Sequence, residues 1–356
     1  MKVWNQPIAI LAIAALIGGN AGTVIAGVAD GIAAYDKEDY GKAVIEFKEA
    51  AHKADKTAQN WLGFLYYWGK GVKKDLKEAA DWYRKAADQG DAEAQWRLGL
   101  MYAEGEGIEK NAREAVDWFR KAADLGHAGA KNSLGVMYAK GEGIEKNARE
   151  AVDLYRKAAD QKLAAAQFNL GMMYAKGEGI EKNARKAVDW YRKAAQQGLA
   201  EAQFNLGVMY GNGEGIEKNA REAVDWHRKA AEQGNADAQV YLGRCYYHGI
   251  GVARDKVLAY ALFNSAAPEG VEDSVQHRNV VETELSPQQL VEAQIISSAL
   301  REKGVLPKKS RTWMEISERS NAAKEPISQA IQPQSAINAG SGKAVYSAPS
   351  QPVSQR

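Results

Sequence analysis

The 356-residue chain is 46% hydrophobic and 26% charged, with a formal net charge of +2. That is the composition of an ordinary globular protein and gives no global argument for binding nucleic acid. A single cysteine, Cys245, excludes an internal disulfide and leaves stability to packing.

The N-terminus opens with one lysine, Lys2, followed by an uncharged apolar run from Ile8 to Ile17 and then small residues. This is the layout of a secretory signal peptide over 1–29, too short for a comfortable membrane span. The best cleavage point lies after Gly27-Val28-Ala29, and the second after Val24-Ile25-Ala26. An uncleaved anchor is the other reading of the same run. An exported, periplasmic or secreted protein is the expectation.

From there the chain repeats itself. The stretch GEGIEKNAR begins at Gly105 and returns unchanged at Gly141, Gly177 and Gly213. Weaker copies open at Gly69 and Gly249, so the step of 36 residues defines six units: 55–90, 91–126, 127–162, 163–198, 199–234 and 235–270. A partial unit, 30–54, precedes them. Each unit divides into two helical stretches. The first ends at the tyrosine of the series Tyr66, Tyr102, Tyr138, Tyr174, Tyr210 and Tyr246. The second starts at an N-capping residue such as Asn111, Asn147 or Asn219, with Glu114, Glu150 or Glu222 completing a capping box. Gly90, Gly126, Gly198 and Gly234 stand where a left-handed residue ends the second helix, and Lys162 takes that place once.

The paired glycines of the loop let the backbone reverse between the helices. A phosphate loop would need Lys-Ser/Thr after its second glycine, and a calcium loop needs acidic residues at alternate positions. Neither pattern is present, so the loops read as corners.

The unit pattern A-E-A-Q-x-x-L-G-x-M-Y-x-x-G-x-G-I-x-x-N-x-x-x-A-V-x-W-x-x-K-A-A-x-x-G resembles the Sel-one-like repeat (SLR), a relative of the tetratricopeptide repeat with a longer loop. The resemblance covers about 55–270. It implies an all-α fold: a right-handed α-solenoid of helix-turn-helix repeats, six 36-residue units plus caps, with first helices lining the concave surface. Residues 257–267 resemble the terminal repeat variant. Residues 271–306 read as a helical cap, with a helix starting at Ser286-Pro287 and ending at Gly304.

Beyond Pro307 the composition changes. Five of the eight prolines and nine serines fall in 307–356, with seven Lys/Arg against three Glu. Such a segment buries too little apolar surface to offset its ordering entropy and reads as a disordered basic tail, with Arg311–Ile316 a candidate short docking segment. The tail or an uncleaved signal is the route by which membrane contact would arise.

Few residues suggest catalysis. His227 replaces the packing aromatic of Tyr83, Phe119, Tyr155 and Tyr191. Cys245 replaces the methionine of Met101, Met137, Met173 and Met209, and reads as a small buried hydrophobe. Cys245 and His248 lie one helical turn apart, but two ligands do not close a metal site. No nucleophile–base set stands out, so the expectation is a non-enzyme without cofactor or metal. The alternative is a cell-wall or β-lactam-directed hydrolase using the groove as its cleft. Exported relatives that act on β-lactams carry a cysteine pair in each repeat, and this chain has none.

Differences between units carry more information. On a helical wheel one side of the first helix is constant across units and the other diverges. The divergent rows run Trp61, Arg97, Ser133, Asn169, Asn205, Tyr241, then Phe64, Leu100, Val136, Met172, Val208, Arg244, then Trp68, Glu104, Lys140, Lys176, Asn212, His248. A stripe of exposed aromatic, amide and charged side chains suits a groove for a protein or peptide partner. The candidate partner-binding set is Trp61, Phe64, Trp68, Trp96, Arg97, Phe168, Asn169, Phe204, Asn205, Tyr241 and Arg244. Trp82, Trp118, Trp190 and Trp226, in register on the second helix with Leu154 and Leu262, read as core.

Overall fold

The computed structural model describes residues 26–307. The apolar run before Ala26, expected to be a signal peptide, and the tail after Pro307, with its segment 311–316, lie outside the described residues. Among those described, all regular structure is helical, and it falls into two compact bodies that meet in sequence at Lys182 and Asn183.

The first body opens with a hairpin, α1 (Ala26–Asp36) and α2 (Tyr40–His52). It continues through α3 (Lys56–Trp68), α4 (Leu76–Asp88), α5 (Ala92–Glu104), α6 (Ala112–Asp124), α7 (Ala128–Lys140), α8 (Ala148–Asp160) and α9 (Ala164–Lys176). The second holds α10 (Ala184–Gln196), α11 (Ala200–Asn212), α12 (Ala220–Glu232), α13 (Ala236–His248) and α14 (Lys256–Ala266). It closes with α15 (Glu272–Glu282) and α16 (Pro287–Lys303), both packed on α14. Within each body successive helices pack on one another, and the fold class is an all-α array of helix-hairpin repeats.

The loop glycines have two separate jobs. The first of each pair, such as Gly105 (φ 77°), is the left-handed residue that ends the first helix. The second, such as Gly143 (φ 69°), lies against the opening turn of the preceding unit's second helix, where a Cβ would fall 2.3 Å from the Ala112 carbonyl oxygen. One backbone bond then closes each corner: the amide of Asn147 donates to the Tyr138 carbonyl at 2.9 Å, and that of Asn219 to Tyr210 at 2.9 Å. Asn111, Asn147 and Asn219 accept from the amides of Glu114, Glu150 and Glu222. The full reciprocal box is made at Ser286 and Gln289.

A third glycine series lies inside the first helix and sets how closely a hairpin closes. A Cβ on Gly63, Gly99, Gly135 or Gly243 would sit 2.5–2.7 Å from the ring of Tyr83, Phe119, Tyr155 or Phe263 on the paired second helix. Between repeats the link is an amide. Buried Gln59, Gln95 and Gln167 donate from Nε2 to the last-turn carbonyls of Ala51, Ala87 and Ala159 in the preceding helix, and Gln203 and Gln239 do so to Ala195 and Ala231. Each of those carbonyls already accepts the amide three residues on, from Ala54, Gly90, Lys162, Gly198 or Gly234 at 2.9–3.0 Å, so the glutamine fills its second lone pair and ties one repeat to the next.

The tryptophan column departs from expectation. Trp118, Leu154 and Leu262 are buried, whereas Trp82, Trp190 and Trp226 are half-buried. Each ring lies beneath the lysine three residues on, with Nζ–centroid distances of 3.8, 3.8 and 3.9 Å for Lys85, Lys193 and Lys229, as buried Trp118 lies beneath Lys121 at 3.7 Å. One helical turn brings the flexible lysine stem over the ring face, where the cation meets the π-cloud.

The N-terminal hairpin begins four residues ahead of the boundary expected at Asp30. Val28 is buried, and a Cβ on Gly31 would meet the Phe47 ring at 2.6 Å, so α1 is seated on α2 from its first turn.

Candidate functional site

The first-helix rows resolve into two groups of side chains, one in each body. In the first body an aromatic run follows α3. Trp61 stacks on Phe47 at 5.3 Å with an interplanar angle of 6°, meets Tyr35 at 5.0 Å and meets Phe64 edge-on at 5.8 Å. Phe64 leads on to Trp68 at 6.4 Å. These three residues are half-buried, since they pack between repeats and also present an edge to solvent. Truncating Trp61 therefore removes core as well as surface.

Arg97, Phe168 and Asn169 are corrections to the exposed stripe: they are 5%, 2% and 3% exposed. Side chains on this row enter the seam between consecutive first helices, and a wheel drawn for one helix does not show that seam. Asn169 donates to the Asn132 amide oxygen at 2.8 Å. Half-buried Trp96 reaches the same way, its indole donating to Ser133 Oγ at 3.1 Å.

Arg97 is the buried member of an ionic cluster whose other two, Glu93 and His127, are half-buried. Its Nη2 lies 2.5 Å from Glu93 Oε1, and Glu93 Oε2 is 2.9 Å from His127 Nε2. His127 also caps α7, its Nδ1 accepting from the Ala130 amide at 3.0 Å. An acceptor Nδ1 leaves the ring proton on Nε2, which donates to Glu93 Oε2. Burial would raise the Glu93 carboxyl, but Arg97 and His127 outweigh it and hold Glu93 at about 2. Burial pushes the neighbouring Tyr83 phenol up. The composition of the row gave no sign of this cluster. Its one signal was the imidazole of His127 in a first-helix cap column otherwise made of Asp55, Asp91, Leu163, Leu199 and Asn235.

In the second body Phe204, Tyr241 and His227 form a triad with centroid distances of 5.3–5.5 Å. Phe204 and Asn205 are half-buried. Tyr241 is 41% exposed and carries the exposed Arg244 guanidinium 5.9 Å from its ring centroid. His227 packs against Gly207, as Tyr83 packs against Gly63, and its buried Nδ1 has no hydrogen-bond partner.

Burial lowers the His227 imidazole from its ordinary 6.5 to about 4. Between those values the unfolded chain takes up a proton that the folded chain refuses. Stability is then whole above pH 6.5 and falls as pH drops, losing about 3 kcal/mol by pH 4. His227→Phe, which puts the residue of Phe119 at this position, should flatten that slope. Urea unfolding at pH 7 and pH 4.5 checks it; an unchanged slope in the variant would place the acid sensitivity elsewhere.

Cys245 is half-buried, and burial pushes its thiol up, away from a reactive thiolate. Exposed His248 meets the Tyr247 ring edge-on at 4.9 Å. Among the described residues no group of three or more His, Cys, Asp or Glu could hold a metal ion, and no helix is long and apolar enough to cross a membrane.

The Sel1 repeat family matches six consecutive segments, 56–91, 92–127, 128–163, 164–199, 200–235 and 236–270. The chain belongs to the Sel1 repeat family. A Sel1 repeat protein of Oxalobacter formigenes is 36% identical, with 67% of this chain and 96% of that one covered and a TM-score of 0.64. A protective antigen of uropathogenic Escherichia coli with an SLR fold is 29% identical over 88% of this chain and 82% of its own, with a TM-score of 0.36. An immunity protein of Pseudomonas aeruginosa is 24% identical over 57% and 81%, with a TM-score of 0.40. Among curated proteins none matches. Sel1 repeat proteins are in general protein-interaction scaffolds.

Proposed function

We propose that this Sel1 repeat chain is an exported, non-enzymatic scaffold or adaptor that binds a protein or peptide partner along its first-helix faces. One observation carries the reading. In an array whose packing positions are held in register, the divergent rows still present Trp61, Phe64 and Trp68 in one body and Tyr241 with Arg244 in the other. Part-exposed aromatics with an adjacent arginine are the side chains that anchor protein interfaces. Arg97, Phe168 and Asn169 hold repeats together and leave this set. Tyr241 and Arg244 offer the cleaner test, because both are exposed and Tyr241 meets the packed residues by its ring alone. Tyr241→Ala with Arg244→Ala should abolish recovery of a partner from the envelope fraction while leaving the melting temperature within a few degrees. Undiminished recovery would remove the face from the account.

Export rests on the N-terminal run. The start of α1 favours cleavage after Ala26, which keeps Val28 in the core, over cleavage after Ala29, which removes it. N-terminal sequencing of the processed protein should read from Gly27; a sequence starting at Asp30 would mean that α1 begins later than described.

A further inference from the structure

After α16 the chain turns back and lies against the repeats. Gly304 reaches the C-terminal end of α12, where a Cβ would sit 2.4 Å from the Glu232 carbonyl oxygen. Leu306 is buried in the core of the second body, and Pro307 is buried beside it. Arg228 on α12 holds this strap by its backbone: Nη1 donates to the Leu306 carbonyl at 3.2 Å and to the Pro307 carbonyl at 3.3 Å. The guanidinium is itself positioned, Nη2 donating to the hydroxyl of Tyr246 with the ring centroid 5.8 Å away. A planar fork with five N–H donors can bond the tyrosine and a carbonyl pair at once.

The same pair exists 144 residues earlier, four repeats up the chain. Arg84 Nη2 donates to the Tyr102 hydroxyl at 2.8 Å, with its guanidinium 5.9 Å from the ring centroid. The intervening arginines of this row are turned elsewhere: Arg120, Arg156 and Arg192 bond Asp117, Asp153 and Asp189 at 3.2, 2.8 and 3.3 Å. Arg84 stands 3.8 Å from Asp81, and its side chain is 40% exposed where that of strap-covered Arg228 is 18%.

We infer that the Arg84–Tyr102 pair is a second peptide-backbone site, built like the one the strap fills, and that it takes an extended segment of a partner protein with an aliphatic-proline step followed by basic residues. The strap supplies the model for the occupant. Its Leu306-Pro307 step presents consecutive carbonyls and an apolar side chain, and proline has no N–H to leave unsatisfied in an extended segment. Charge agrees with the basic flank: half-buried Asp81, 3.8 Å from Arg84, and the exposed Asp88 and Glu104 lie on α4 and α5, while Lys308, Lys309 and Arg311 follow the strap in sequence. The chain's own strap is committed to Arg228, so the occupant comes from another protein. This site is separate from the divergent rows, so a partner could fail to bind there while the Arg84 site holds.

The probe is a fluorescein-labelled peptide of residues 304–311, GVLPKKSR, titrated with the full chain and followed by anisotropy. Saturable one-to-one binding is expected, weakened at least tenfold by Arg84→Ala and by Arg84→Lys, which keeps the charge without the fork. Arg120→Ala should leave it unchanged. Absence of saturable binding overturns the inference, as does equal weakening by Arg84→Ala and Arg120→Ala, which would mean charge attraction alone. Loss with Arg228→Ala in place of Arg84→Ala overturns it too, because the peptide would then be exchanging with the strap. Circular dichroism on each variant confirms that the helices remain.

Discussion

Arg97→Ala should lower stability by about 3–5 kcal/mol, because it strands a carboxylate in a seam without its cation. Glu93 is held at about 2 by Arg97 and His127 against the contrary pull of burial. Its folded value lies below the ordinary 4.5, so the ion pair's contribution is complete above pH 4.5 and is lost as pH falls toward 2. The penalty of Arg97→Ala should therefore shrink in acid, which a simple packing defect would not do. The double variant Arg97→Met with Glu93→Met should recover much of the loss, since a well-packed apolar pair can replace a buried ionic one at little cost. Denaturant unfolding of the three proteins at pH 7 and pH 3 measures all of this. A loss below about 1 kcal/mol at pH 7 would mean that the cluster is better solvated than its geometry implies.

Gly143→Val should cost about 2–5 kcal/mol, from about 1–2 for a branched residue at positive φ and about 1–3 for overpacking. Gly143 has φ 69°, and its Cβ direction runs into the Ala112 carbonyl oxygen, a backbone atom that cannot rotate aside. Gly126 separates the two causes. It has φ 94° with nothing within 4 Å of its Cβ position, so Gly126→Ala should cost only about 1 kcal/mol. Lys162 already occupies that place in its own repeat at φ 64°. Thermal melts of the two variants should differ by several degrees, and equal melting temperatures would show that the loop moves away from α6 at no cost.

The hairpins and their corners were legible because a 36-residue step fixes which residues must do the same job, and glycine, asparagine and tyrosine each have a specific one. The glycines of the first helix were less legible. Their role appears only when the ring of Tyr83 or Phe119 is set against them, across a helix pair whose spacing the sequence does not state. The binding stripe was legible in part. A wheel separates one side of a helix from the other but cannot show where the next repeat covers that side, so Arg97, Phe168 and Asn169 read as surface and are buried. The Glu93–His127 contact joins residues 34 apart, two short of the repeat step, so the 36-residue register does not pair them. In the tryptophan column a lysine lies over every ring, buried Trp118 included, so register alone did not separate Trp118 from the half-buried Trp82, Trp190 and Trp226.

The proposed function places the scaffold's partner on the first-helix face, and site-specific photo-crosslinking in living cells is the most direct test of that placement. A benzophenone side chain would replace Trp68 or Arg244 on that face, and Asp117 or Asp189 on the second helices, where the native side chains are 60% and 65% exposed. A partner adduct is expected from position 244 or position 68 and not from positions 117 and 189. Adducts of equal yield from all four, or from the second-helix positions alone, would contradict it.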